Sequence, residues 1–236
     1  MTKTIGILGG MGPEATEYMF DLILKNTKAE EDQDHIPVLI YSNPKIPHRT
    51  NAIFKKGPSP TPLLIKGIKK LIQAGADFII IPCVTAHYFL PEVAQTVDFS
   101  YLSLLEESLH WAKDHIPGLK KAGLISSTGT LQSGLFHKTY EKAGVQVIGP
   151  EESEQEKVMQ AIYGPSGIKA GFTKGLSKEW IVNTAKILIG RGAEAIIAGC
   201  TEIPLVLKPE DIAVPLIEPM QIVAQASILK AGYELR

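Results

Sequence analysis

Two stretches of the chain carry nearly the same run of apolar residues, Asp77-Phe78-Ile79-Ile80-Ile81-Pro82-Cys83 and Glu194-Ala195-Ile196-Ile197-Ala198-Gly199-Cys200. Each follows a Gly-Ala step and ends in a cysteine, with Thr85 two places beyond the first and Thr201 one place beyond the second. Short continuous apolar runs bounded by turn residues predict strands buried on both faces. The two cysteines lie 117 positions apart, and the same shift lays Lys3, Gly6 and Gly12 on Lys120, Gly123 and Gly129. It also pairs Thr4–Leu8 with Lys121–Ile125, and Leu64, Ile65, Lys69 and Ile72 with Ile181, Val182, Lys186 and Ile189. Apolar residues match by chance often, but three elements on one ungapped offset indicate an internal duplication. The fold class is therefore α/β, two similar domains with parallel central sheets and an active site in the cleft between them.

Along the first half the pattern predicts a strand at Thr4–Leu8 and a helix from Pro13, which suits a first helical turn, to about Asn26. A strand at 37–41 follows, then a proline-rich loop over 43–62 that reads as a binding loop or lid. An amphipathic helix over 63–73 leads to the first cysteine strand, a helix over 85–97 broken by Pro91, and a short strand at 101–105. The second half predicts strands at 121–125 and 145–148 and helices over 153–162 and 177–190, then the second cysteine strand. A last helix over 218–231 has no counterpart at the common offset and is expected to return to the first half. The expected domains are 1–104 with 212–236, and 105–211.

Composition narrows the function. A chain of 236 residues with 44% hydrophobic residues and a mean hydropathy of +0.08 has apolar surface enough for two cores. A net charge of −1 without a basic stripe argues against nucleic acid as a partner. No apolar segment reaches the roughly 20 residues that cross a bilayer, and the expected location is the cytoplasm. Reducing conditions there leave the two cysteines unpaired. Cys83 and His87 find no second pair to complete a zinc site.

Ligands of parallel α/β sheets bind outside the carboxyl ends of the strands, where both cysteines fall. A following helix is expected to lower each thiol's pKa from about 8.5 toward neutrality. Cys83 with His87 invites a thiol hydrolase reading, but the second copy has Pro204 at the position aligned with His87. Gly9-Gly10-Met11-Gly12 lacks the full spacing of a nucleotide fingerprint, and no acidic ribose ligand ends the second strand. Arg49 and Lys169 each sit in a loop from which a cation reaches a carboxylate. Thr85, Thr128 and Thr201 offer hydroxyls for a second one.

With these residues the chain resembles the cofactor-independent aspartate/glutamate racemase family. The resemblance runs nearly end to end, through Gly9-Gly10-Met11-Gly12-Pro13, Asn43-Pro44 to Arg49-Thr50, Pro82-Cys83 with Thr85-Ala86-His87, Ser127-Thr128-Gly129-Thr130, Ile168-Lys169-Ala170-Gly171 and Gly199-Cys200-Thr201-Glu202-Ile203-Pro204. It implies two α/β domains, a homodimer, a small amino-acid substrate, and neither pyridoxal phosphate nor metal. It also implies that Cys83 and Cys200 are proton donor and acceptor and that Arg49 and Lys169 hold the substrate's side-chain carboxylate. Met11, Val84, Thr85, Thr128 and Thr201 are the further substrate-binding positions. Val84 departs from the asparagine the family often carries there and cannot donate a hydrogen bond from its side chain. Maleate isomerases and arylmalonate decarboxylases of the same superfamily, and a catalytically silent amino-acid-binding protein, are the alternatives.

Overall fold

The computed structural model describes residues 2–236. Contacts divide the chain into two units, the first running to Glu107 and resumed over Met220–Arg236, the second Ser108–Pro219. In the first, β1 (Ile5–Gly9), α1 (Pro13–Asn26), β2 (Val38–Ser42), α2 (Arg49–Ile53), α3 (Thr61–Gln73), β3 (Phe78–Ile80), α4 (Leu90–Ala94) and β4 (Tyr101–Leu102) follow in order. All four strands are parallel, in the spatial order β2-β1-β3-β4. β1 and β3 are buried throughout, as central strands covered by helices on both faces must be. Leu8, Leu64, Ile68, Ile79 and Ile81 share one apolar core with Met11 and Cys83.

After α5 (Leu104–His115), the second unit contains β5 (Lys121–Ile125), α6 (Thr128–Ser133), α7 (Leu135–Glu141), β6 (Gln146–Ile148), α8 (Glu152–Tyr163), α9 (Leu176–Gly190), β7 (Ala195–Ala198) and β8 (Leu216–Ile217). Its sheet is β6-β5-β7-β8, again parallel. The duplication extends to register: Ile5 pairs with Phe78 and Gly6 with Ile79, while Ala122 pairs with Ala195 and Gly123 with Ile196. A Cβ at Gly6 would lie 2.8 Å from both Ala76 Cβ and Ile79 Cδ1, and one at Gly123 2.8 Å from Ile196 Cδ1 and 3.2 Å from Ala193 Cβ. The paired glycines and the paired Gly-Ala steps therefore serve one close contact, made twice. The acidic residues that open the cysteine strands also repeat a role: Asp77 accepts the Thr4 N–H at 2.7 Å, and Glu194 the Lys120 and Lys121 N–H groups at 2.7 and 3.2 Å.

Four expectations need correction. The final helix, α10 (Pro219–Lys230), has a counterpart in α5, since each follows the fourth strand of its sheet. β8 is too short to register as a pattern, and without it the second copy looks complete too early. Because β8 pairs with β7, residues 212–219 belong to the second unit, while 105–107 stay with the first. The proline-rich segment is not structureless, for α2 forms within it, capped by the His48 side chain, which accepts from the Asn51 N–H at 3.4 Å. Pro91 stands in the first turn of α4 and starts that helix instead of interrupting one.

The helices after the fourth strands are shared out crosswise. Most of α5 groups with the second unit, where Tyr140 Oη donates to Ser108 Oγ at 3.1 Å. α10 groups with the first: Ala231 O accepts the Lys3 N–H at 3.0 Å, and Asn26 bonds Gln221 and Gln225. Among the described residues, no helix is long and apolar enough to cross a membrane.

Candidate active site

In the first unit, Cys83 follows β3 and precedes a 3-10 turn, Val84–Phe89, to which it contributes no side-chain cap. Its sulfur lies 3.3 Å from Thr85 Oγ1, both side chains buried. His87 Nε2 accepts the Leu104 N–H at 3.3 Å, so Nδ1 carries the ring proton and donates to the Cys83 carbonyl at 3.0 Å. Burial holds His87 neutral, its pKa lowered from 6.5 to about 4, with the backbone bonds opposing. Both nitrogens are thus spent on backbone and neither serves the thiol as a base. Since the unfolded chain binds this proton first, stability should fall by up to about 3 kcal/mol as pH drops from about 6.5 to about 4. Urea melts at stepped pH would show that slope in the native chain and lose it in His87→Gln; equal slopes would contradict the assignment.

Arg49, at the start of α2, donates Nη1 to the Ile46 and Pro47 carbonyls at 3.2 and 3.1 Å, and Nη2 to the Met11 carbonyl at 2.8 Å. It fastens the turn after β1 to the turn after β2. Its Nε is buried without a partner.

In the second unit, Cys200 follows β7 and is 8% exposed. Its thiol donates to Glu202 Oε2 at 2.9 Å, and Thr201 Oγ1 reaches the same oxygen at 3.2 Å. Lys169, on the 3-10 turn Ile168–Ala170, donates to Glu202 Oε1. The lysine's ammonium also lies 5.5 Å from the centre of the Tyr163 ring. Burial first, then the Glu202 charge, pushes the Cys200 thiol well above its ordinary range, with Lys169 opposing. The expectation of a lowered pKa is therefore wrong for Cys200. Beyond this cysteine the chain forms a turn and the three-residue 3-10 segment Ile203–Leu205, too short to supply a helix dipole.

The sequence model of the Asp/Glu/Hydantoin racemase family matches residues 8–227. The chain belongs to that family. It is an amino-acid racemase, an isomerase. It is 30% identical to the broad specificity amino-acid racemase RacX of Bacillus subtilis, over 95% of this chain and 96% of that one. Among solved structures, the Picrophilus torridus aspartate racemase superposes with a TM-score of 0.88 at 30% identity, covering 99% of this chain and 96% of its own. An aspartate racemase homologue from Pyrococcus horikoshii gives 0.77 at 27%, covering 98% and 99%.

In this racemase the first unit gathers Met11, Arg49, Cys83, Val84 and Thr85, since Met11 and Cys83 share a core and α2 packs on the turn after Cys83. The second gathers Cys200, Thr201 and Lys169. Thr128 opens α6, just past the end of β5, where Gly199 N–H donates to Ile125 O at 2.8 Å, and its hydroxyl accepts from Gln155 Nε2 at 3.2 Å. Arg49 and Lys169 both have partners inside the protein. Glu202, only 1% exposed, is the site residue that the sequence pattern did not single out. Two signals marked it: it aligns with Thr85 at the common offset, and it is the only charged residue between Ala195 and Leu207.

Proposed function

We propose that this racemase inverts the α-carbon of an acidic amino acid, aspartate or glutamate, using Cys83 and Cys200 as its two acid-base groups and no cofactor. The observation that carries this reading is their equivalence: each follows the third strand of an identically ordered parallel sheet at the common offset. Inversion needs a base on one face of the carbon and an acid on the other. Cys200, whose S–H points into the Glu202 carboxylate, is the group that begins with a proton. Cys83 has the Thr85 hydroxyl 3.3 Å from its sulfur. One sulfur, as thiolate, takes the α-proton, the C–H electron pair spreads into the α-carboxylate as an enediolate, and the other sulfur, as thiol, delivers a proton opposite. With the other enantiomer the roles exchange. Thr128 and Thr201 supply hydrogen bonds to the developing charge, which are worth most where water is excluded.

A dicarboxylic substrate is supported by the cations Lys169 and Arg49 and by the activity named for the Picrophilus relative. A broader set of amino acids is the second reading, favoured by Val84, whose side chain reads no polar group, and by the name of the Bacillus relative. A homodimeric, cytoplasmic enzyme is part of the same proposal. Incubation with L-aspartate in deuterated water should incorporate α-deuterium as optical rotation decays, and a panel of enantiopure amino acids would separate the two readings. Binding without exchange across the whole panel would refute both.

A further inference from the structure

Lys169 carries a conflict: the cation offered to a substrate carboxylate is already paired with one inside the protein. Glu202 is nearly sealed from solvent and stands between two groups, its Oε1 on Lys169 and its Oε2 on the Cys200 thiol. We infer that Glu202 is the proton acceptor of Cys200, and that Lys169 is a lock on it which a substrate's side-chain carboxylate opens. This rests on the racemase reading above and adds a residue and an order of events to it.

With Lys169 in place, Glu202 is a paired carboxylate that accepts the S–H hydrogen bond and leaves the proton on sulfur. When a substrate carboxylate draws the ammonium away, a buried negative charge remains with the Cys200 and Thr201 hydrogen bonds but without its cation, which is costly. Moving the proton relieves it: the S–H bond breaks, its electron pair stays on sulfur, and an O–H bond forms at Oε2. Cys200 becomes thiolate and Glu202 a neutral acid, with no change in net charge. At Cys200, thiolate thus forms only when a dicarboxylate is bound, and it is not left idle there in the empty enzyme. The equivalent position in the first unit holds Thr85, which offers Cys83 a hydroxyl and no charge. The two sulfurs therefore have different neighbours, a hydroxyl at Cys83 and a carboxylate at Cys200, although the sheets that carry them are alike.

Three measurements test the lock. Succinate, a dicarboxylate without an α-amino group, should bind Glu202→Gln several-fold more tightly than the native protein by calorimetry, because Lys169 no longer has an internal anion. In a Cys83→Ser background, where Cys200 is the only thiol, ultraviolet titration of thiolate should move to lower pH with Glu202→Gln. The charged groups bearing on that titration are Glu202 and Lys169, with the Tyr163 ring behind the lysine. In kinetics with aspartate, Glu202→Gln should lower kcat by about 100-fold and lower KM as well, with part of the kcat regained in Glu202→Asp. A merely structural role would raise KM or leave it unchanged. Unaltered or weaker succinate binding, or an unmoved thiol titration, would overturn the inference. Should the native protein exchange no α-proton at all, the racemase reading fails alone, since succinate binding and thiol titration still judge the lock.

Discussion

Cys200→Ser and Cys83→Ser are each expected to abolish racemisation, lowering kcat by about 10⁴-fold or more, in proteins that remain folded by circular dichroism. Serine keeps nearly the shape of cysteine, but its hydroxyl ionises far above the ordinary thiol value of about 8.5, so neither the base nor the matching acid survives. The pattern of residual exchange is more telling than the loss. With Cys200 replaced, Cys83 still removes the α-proton of one enantiomer, and any deuterium enters that enantiomer with optical rotation unchanged. With Cys83 replaced, exchange shifts to the opposite hand. Deuterium incorporation into each pure enantiomer, followed by mass spectrometry, separates the two cases. Racemisation near the native rate in either variant would exclude a two-thiol mechanism.

Gly10→Ala is expected to destabilise the first unit by about 3 kcal/mol or more and to take the activity with it. Gly10 has φ +89°, and a Cβ there would fall 2.3–2.7 Å from the Asn43 backbone. Backbone atoms cannot rotate aside as a side-chain end can, so the turn after β1 and the turn after β2 must separate. Those turns are the ones Arg49 ties together through the Met11, Ile46 and Pro47 carbonyls. Neighbouring contacts add to the constraint, since Thr16 Oγ1 accepts the Gly10 N–H and donates to the Gly12 carbonyl, both at 2.8 Å. The glycines that resemble part of a nucleotide fingerprint thus serve close backbone approach. Chemical denaturation of Gly10→Ala beside the native chain measures the cost, and a difference under about 1 kcal/mol would show that the turn adapts.

The common offset held in the structure to single strand pairs, because a duplicated parallel sheet must repeat the residues that let its strands and helices approach. Gly6 with Gly123, and Ala76 with Ala193, meet that demand twice and so leave a pattern in the sequence. β8 left none, being two residues long, and the correspondence of α10 with α5 was lost with it. A five-residue helix inside a proline-rich stretch was invisible for a related reason. Its cap is the His48 ring, a residue without a strong capping preference.

By itself, then, the sequence determined the duplication, the parallel α/β class and the two cysteines at equivalent strand ends, because burial and close packing constrain residue type position by position. Only the tertiary structure decided that His87 is spent on backbone, that Arg49 binds carbonyls, and that Lys169 reaches across 33 positions to a carboxylate holding the Cys200 thiol. Such pairings depend on where the fold sets charged groups relative to water and to one another, and no periodicity along the chain records that.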